Sequence, residues 1–186
     1  MLHSAVFLDR DGVIVEARGR RGQPVPPASV ADVVIPDGVD EALNSLRADG
    51  YVLVVITNQP DVARGTTTRE TVDAINEYVG DALPIDAVYT CVHDGDACSC
   101  RKPRPGLLLD AARDHALDLA ASWLIGDRWV DIAAGRAAGV RTVLLERDYS
   151  WSPTSQGHPP PGLHADAVGA DVAECVAAIE ASAAAP

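Results

Sequence analysis

A chain of 186 residues, 47% hydrophobic and 23% charged, has material for one domain with a buried core, and two full domains would be a tight fit. Fifteen Lys and Arg against 27 Asp and Glu give a formal charge of −12, which repels the phosphate backbone of nucleic acids and anionic membrane surfaces. No apolar run approaches the roughly 18 residues of a membrane span, and a strand-like segment, not a basic stretch with a long apolar run, follows Met1 and His3. The expectation is a cytoplasmic monomer with no nucleic-acid and no membrane partner.

Apolar strand-like runs alternate with helix-length segments, the pattern of βαβ units in which a parallel sheet is covered on both faces. The first strand is expected at Ala5 to Leu8. A helix capped by Asp37 follows, with Val39, Ala42, Leu43 and Leu46 at helical spacing and Gly50 ending it. Next come a strand at Tyr51 to Ile56, a helix at Arg69 to Ala82, a strand at Ala87 to Thr90 and a helix at Gly106 to Leu117. Strands at Trp123 to Ile125 and Thr142 to Leu145 bracket a helix at Trp129 to Ala138, and the last helix spans Val172 to Ala183. Two segments carry no periodicity: Glu16 to Ala31, rich in Arg, Gly and Pro, and Tyr149 to His164, with three successive prolines. Loops this long in a compact domain tend to be functional or mobile.

Several expected strand ends carry chemistry. Asp9 and Asp11 stand two residues apart just past the first strand, with Gly12 free to turn the chain, so both carboxylates belong at the sheet's carboxyl edge, where open α/β sheets place ligands. One such aspartate can attack phosphorus while the other handles a proton, although the same spacing also serves turns and calcium loops. After the second strand, Thr57, Asn58 and Gln59 offer a hydroxyl, amides and freed N–H groups to phosphate oxygens, or form a polar turn. Lys102, in Arg101-Lys102-Pro103, can neutralise a phosphate; a solvated helix start is the plainer reading. Asp127 at a strand tip and Asp131 one turn later share a face and, with Asp9, make an oxygen-rich set suited to Mg²⁺, which typically takes one or two carboxylates. For Asp131, an acid favoured by the helix dipole is the alternative. Cys91, Cys98 and Cys100 crowd into ten residues, a spacing that fits metal binding better than a disulfide framework.

Taken in order, Asp9-x-Asp11, Thr57, Lys102 and Gly126-Asp127-x-x-x-Asp131 resemble the four motifs of the haloacid dehalogenase (HAD) superfamily of phosphohydrolases. Within it the chain is similar to the zinc-loop group that contains D-glycero-D-manno-heptose-1,7-bisphosphate 7-phosphatase and the histidinol-phosphate phosphatase domain. The most specific element is Cys91-x-His93-x₄-Cys98-x-Cys100, running directly into Arg101-Lys102-Pro103. Three thiolates and one imidazole are a closed tetrahedral set for structural zinc.

The resemblance implies a single HAD-like domain over the whole chain: a doubly wound, Rossmann-like parallel sheet with helices on both faces, a zinc-stapled loop and, from the spacing of the motifs, no cap domain. It implies an Mg²⁺-dependent phosphatase acting on a small phosphorylated metabolite, a sugar bisphosphate such as the heptose compound, through an aspartyl-phosphate. Asp9 would be the nucleophile and Asp11 the acid and base, with Thr57 and Lys102 stabilising the phosphoryl group. Mg²⁺ would fall to Asp9, Asp127, the backbone of Asp11 and, behind them, Asp131; zinc would fall to Cys91, His93, Cys98 and Cys100. Asn58, Arg101 and Arg128 would touch substrate. On the residues alone, the cluster Arg18, Arg20 and Arg21 either offers planar forks to a second anionic group or is a solvated basic loop. Ala63-Arg64-Gly65 favours the heptose enzyme over histidinol phosphate, whereas Pro60-Asp61 and the Glu16 to Gln23 segment depart from its usual pattern. A catalytically silent binding or scaffold module is the reading of another class; Asp9, Asp11, Lys102 and Asp127, which such a module would be expected to lose, are all present.

Overall fold

The computed structural model describes residues 2–20, 23–95 and 98–183, with backbone alone at 18–20 and 23. In chain order the elements are β1 (Ala5–Leu8), a hairpin of β2 (Arg18–Arg20) and β3 (Gln23–Val25), α1 (Val39–Ala48), β4 (Val52–Asn58), α2 (Arg69–Ala82), β5 (Ala87–Cys91), α3 (Gly106–His115), β6 (Trp123–Gly126), α4 (Trp129–Ala138), β7 (Arg141–Leu145), β8 (Ala167–Gly169) and α5 (Val172–Ala183).

Six strands form one parallel sheet in the order β5-β4-β1-β6-β7-β8, with Phe7 of β1 opposite Val54 on one side and Leu124 on the other. Its strands read as continuous apolar runs because both faces are covered. Val6, Leu8, Val55 and Ile125 pack with Leu43 and Leu46 of α1, Ile75 of α2 and Val176 of α5. Phe7, Val54, Ile56 and Leu124, from the opposite face, pack with Leu108 and Ala111 of α3 and Ala134 of α4. The chain winds outward from β1 through β4 to β5, then returns to β6 on the other side of β1. That reversal opens a crevice at the strands' carboxyl ends, where ligands of such sheets bind.

The expected elements are present, with shifted ends. Strand β4 runs on to Asn58, and α3 stops at His115, where Ala116 turns left-handed (φ 52°). Asp37 does not cap α1: Gly38 holds the N-cap position at φ 82°, a conformation glycine adopts without strain. Two pieces of structure lay in the segments without periodicity or beside them. Glu16 to Ala31 holds the β2–β3 hairpin, and β8 adds the sheet's last strand. No inserted cap domain occurs among the described residues.

Candidate active site

The carboxyl ends of β1, β4 and β6 converge on one buried ammonium. Lys102 Nζ forms ion pairs with Asp9 Oδ1 at 2.9 Å and Asp131 Oδ1 at 2.6 Å, and donates to the carbonyl of Ile56 at 3.0 Å. Burial would lower its pKa, but the charges of Asp131 and Asp9 outweigh that and hold it above the ordinary lysine value. Asp9 is fixed at the strand end by its own N–H to Ile125 O (3.0 Å) and by Arg10 N to Oδ1 (2.8 Å). Neither anchor engages Oδ2, and Asp9 lines the cleft.

Asp11 also lines the cleft but is held by other partners. Arg10 Nε and Nη2 grip its two oxygens at 3.1 and 2.9 Å, and Gln59 Nε2 adds a third hydrogen bond at 2.6 Å. The same Gln59 nitrogen reaches Thr57 Oγ1 (2.9 Å), which therefore accepts there and keeps its own proton for a ligand. Asn58, expected on the substrate, lines the cleft while its amide pins the Lys102 peptide from both sides: Nδ2 to Lys102 O (3.0 Å) and Lys102 N to Oδ1 (3.1 Å).

Asp9, Asp127 and Asp131 each bring one carboxylate oxygen within 4.8 Å of the others. Burial, then the neighbouring charges of Asp9 and Asp131, push Asp127 well above the usual carboxylate value. Its Oδ1 is buried and meets no hydrogen-bond partner among the described residues, and one lysine cannot neutralise three carboxylates. This donor set fits a hard divalent cation bound through oxygen. The carboxylate of Asp11 is not part of the cluster.

Beside β5 stands the Cys91, His93, Cys98 and Cys100 cluster, whose ligand atoms also lie within 4.8 Å of one another. Cys91 Sγ is 3.8 Å from Cys98 Sγ and 3.6 Å from His93 Nδ1, and His93 Nδ1 is 3.3 Å from Cys100 Sγ. Those are close to the edges of a tetrahedron about a metal with bonds of about 2.3 Å to sulfur. None of the cysteines is joined in a disulfide. Without a cation, burial and then the neighbouring thiols push Cys100 up to about 12. The chain continues from Cys100 straight into Arg101 and Lys102, so this cluster holds one wall of the cleft.

The cleft encloses about 320 Å³, with Asp9, Thr57, Lys102 and Asp131 at its floor and Arg64, Arg101 and Arg128 around them. Pro24 of β3, Pro26 just past it, and Thr154 to Gln156 complete the lining. Arg64 grips Asp94 bidentately at 2.8 and 2.9 Å, and Arg101 holds the same carboxylate while reaching Ser155 Oγ (3.0 Å). Those two arginines hold Asp94 well below the usual carboxylate range. Arg21 lies outside the described residues, as do the side chains of Arg18 and Arg20. Arg10, Arg64 and Tyr149, whose hydroxyl donates to Asp127, were not expected in the site, although Arg64 stands inside a motif run that pointed to it; Gln59, expected beside Thr57 and Asn58 at the cleft, lines it and turns its amide nitrogen to Asp11 and Thr57.

The HAD-hydrolase-like family model matches residues 99–175. The D-glycero-beta-D-manno-heptose-1,7-bisphosphate 7-phosphatase of Photorhabdus laumondii is 38% identical over 77% of this chain and 80% of its own. The chain belongs to the HAD-like phosphatases. The enzyme of the same name from Escherichia coli K12 is 36% identical to this HAD-like phosphatase over 77% of the chain and 78% of its own length. Among solved structures, the D,D-heptose 1,7-bisphosphate phosphatase of B. bronchiseptica, complexed with magnesium and phosphate, superposes with a TM-score of 0.77 at 29% identity, covering 96% of this chain and 99% of that one. Membership makes the protein a phosphoric monoester hydrolase. No helix among the described residues is long and apolar enough to cross a membrane.

Proposed function

We propose that the protein removes one phosphate from a small sugar bisphosphate, D-glycero-D-manno-heptose 1,7-bisphosphate or a close analogue, with Mg²⁺ in the site and zinc in the cysteine cluster. The observation that carries the reading is Lys102 Nζ bridging Asp9 and Asp131 at the floor of an arginine-walled cleft. Bound to Asp9, Asp127 and the Asp11 backbone, with Asp131 behind them, Mg²⁺ would offset charge on the carboxylates and on the phosphate.

Asp9 Oδ2 attacks phosphorus as the ester P–O bond breaks, and the leaving alcohol takes a proton from Asp11. Water, deprotonated by Asp11, then attacks the aspartyl-phosphate and releases inorganic phosphate and Asp9. Lys102 and the Thr57 hydroxyl stabilise charge on the transferring group. Lys102 is held for that task by Asp131 and Ile56, so it needs no reorganisation when the charge develops. Arg101 and Arg128, which line the cleft with Arg64, would meet the substrate's second anionic group. Histidinol phosphate has one phosphate and a cationic amine, which suits a guanidinium-rich wall poorly. The similarity to the HAD-like heptose bisphosphate phosphatases supports a cytoplasmic enzyme.

The test is phosphate release with Mg²⁺ from heptose and other sugar bisphosphates, their monophosphates and histidinol phosphate. The bisphosphate should give the highest kcat/KM; preference for histidinol phosphate would replace this substrate.

A further inference from the structure

The loop after β7 reaches back to the carboxylate cluster. Tyr149 Oη donates to Asp127 Oδ2 at 2.7 Å, which leaves Oδ1 as that carboxylate's unpartnered oxygen. Asp9 and Asp131 share the Lys102 ammonium, whereas the hydrogen bond on Asp127 comes from a neutral phenol. A neutral donor orients the group and keeps its charge for a cation.

Gly12 makes the pairing possible. It sits at φ +96°, and a Cβ there would fall 2.0 Å from Asp127 Oδ2 and 3.0 Å from Tyr149 Oη. The loop is tied down just past the phenol. Ser150 Oγ donates to Asp127 O (2.6 Å), Trp129 N donates to Ser150 O (2.9 Å), and Trp129 Nε1 donates to Ser152 O (3.1 Å).

The geometry points to Tyr149 as a positioning residue for the metal: its hydroxyl holds Asp127 so that Oδ1 faces the cation, and thereby sets the affinity for Mg²⁺. This rests on the metal reading above. Partners that orient metal ligands typically change affinity by about 10–100-fold when lost.

Mg²⁺ titration by calorimetry, on protein with its cysteine cluster loaded, compares the parent with Tyr149→Phe, Ser150→Ala and Asp127→Asn. Tyr149→Phe should weaken Mg²⁺ about tenfold or more, leave the melting temperature without Mg²⁺ near the parent's, and recover kcat when Mg²⁺ is raised. An Mg²⁺ affinity within about twofold of the parent overturns the assignment. If Tyr149→Phe does not fold, Ser150→Ala decides, since it loosens the same loop: weakened Mg²⁺ supports the role and unchanged Mg²⁺ removes it. Asp127→Asn separates the two layers. Were it to bind Mg²⁺ as the parent does, the metal site itself would be withdrawn; were it alone to lose binding, only the role of Tyr149 would be.

Discussion

Asn76, on the buried face of α2, accepts a hydrogen bond from Arg10 Nη1 at 2.8 Å across 66 residues of sequence. Its amide nitrogen donates in turn to Thr90 of β5 (3.0 Å), while the rest of the Arg10 guanidinium grips Asp11. The proposed acid and base is thus held from an element that never reaches the cleft floor. Asn76→Leu removes the acceptor and leaves a buried guanidinium N–H unpaired, which should cost about 1–3 kcal/mol. Urea unfolding should show that loss, and kcat should fall more than KM changes; an unaltered unfolding midpoint would contradict it.

The sheet and the site floor were legible because their information is local. Four buried strands and the half-buried β5 announce themselves as apolar or strand-prone runs, and each carboxylate or lysine of the floor follows a strand or opens a helix. The β2–β3 hairpin and β8 were not legible: Arg-Gly-Arg and Ala-Val-Gly are three-residue strands without a pattern of their own. The missed contacts have the opposite problem. Gln59 meets Asp11 across 48 residues and Tyr149 meets Asp127 across 22, so only the fold brings them together. Asn58 was half legible, since its position at the cleft was visible but its bond to the Lys102 peptide was not.

Lys102 is fully buried between Asp9 and Asp131, so its loss strands two carboxylates. Breaking such a pair costs about 3–5 kcal/mol. Lys102→Met, similar in reach, should lower stability by that order without Mg²⁺, recover part of it with Mg²⁺, and lose turnover by about a hundredfold or more. Denaturant titration with and without Mg²⁺ checks the first two effects. Equal stability loss in both conditions would argue against a shared electrostatic site.

The cysteine cluster should contain one zinc ion per chain, bound by Cys91, His93, Cys98 and Cys100. Binding needs thiolates, so Cys100, pushed up to about 12 without metal, must give up its proton to the incoming cation. Elemental analysis of protein purified without chelator should find zinc, and its removal at neutral pH should lower both the melting temperature and activity in excess Mg²⁺, because Arg101 and Lys102 follow Cys100 directly. Protein free of zinc yet fully active would refute this.

Without a cation, Asp127 takes up a proton more readily in the folded state than in the unfolded chain, where its value is about 3.8. Between those two pKa values the native state binds more protons, so stability falls as pH rises through the window. Mg²⁺ replaces that proton and removes the penalty. The rise in melting temperature caused by Mg²⁺ should therefore grow from mildly acidic to neutral pH; thermal scans showing a constant or shrinking rise would contradict the assignment.

The most direct test is to trap the phosphoryl-enzyme. Acid quenching during turnover of a radiolabelled sugar bisphosphate, followed by peptide mapping, should place the label on the peptide that carries Asp9, with Asp9→Asn unlabelled and inactive although folded. Label on another residue, or turnover retained by Asp9→Asn, would contradict a mechanism in which the Asp9 carboxylate, beside Lys102, attacks phosphorus.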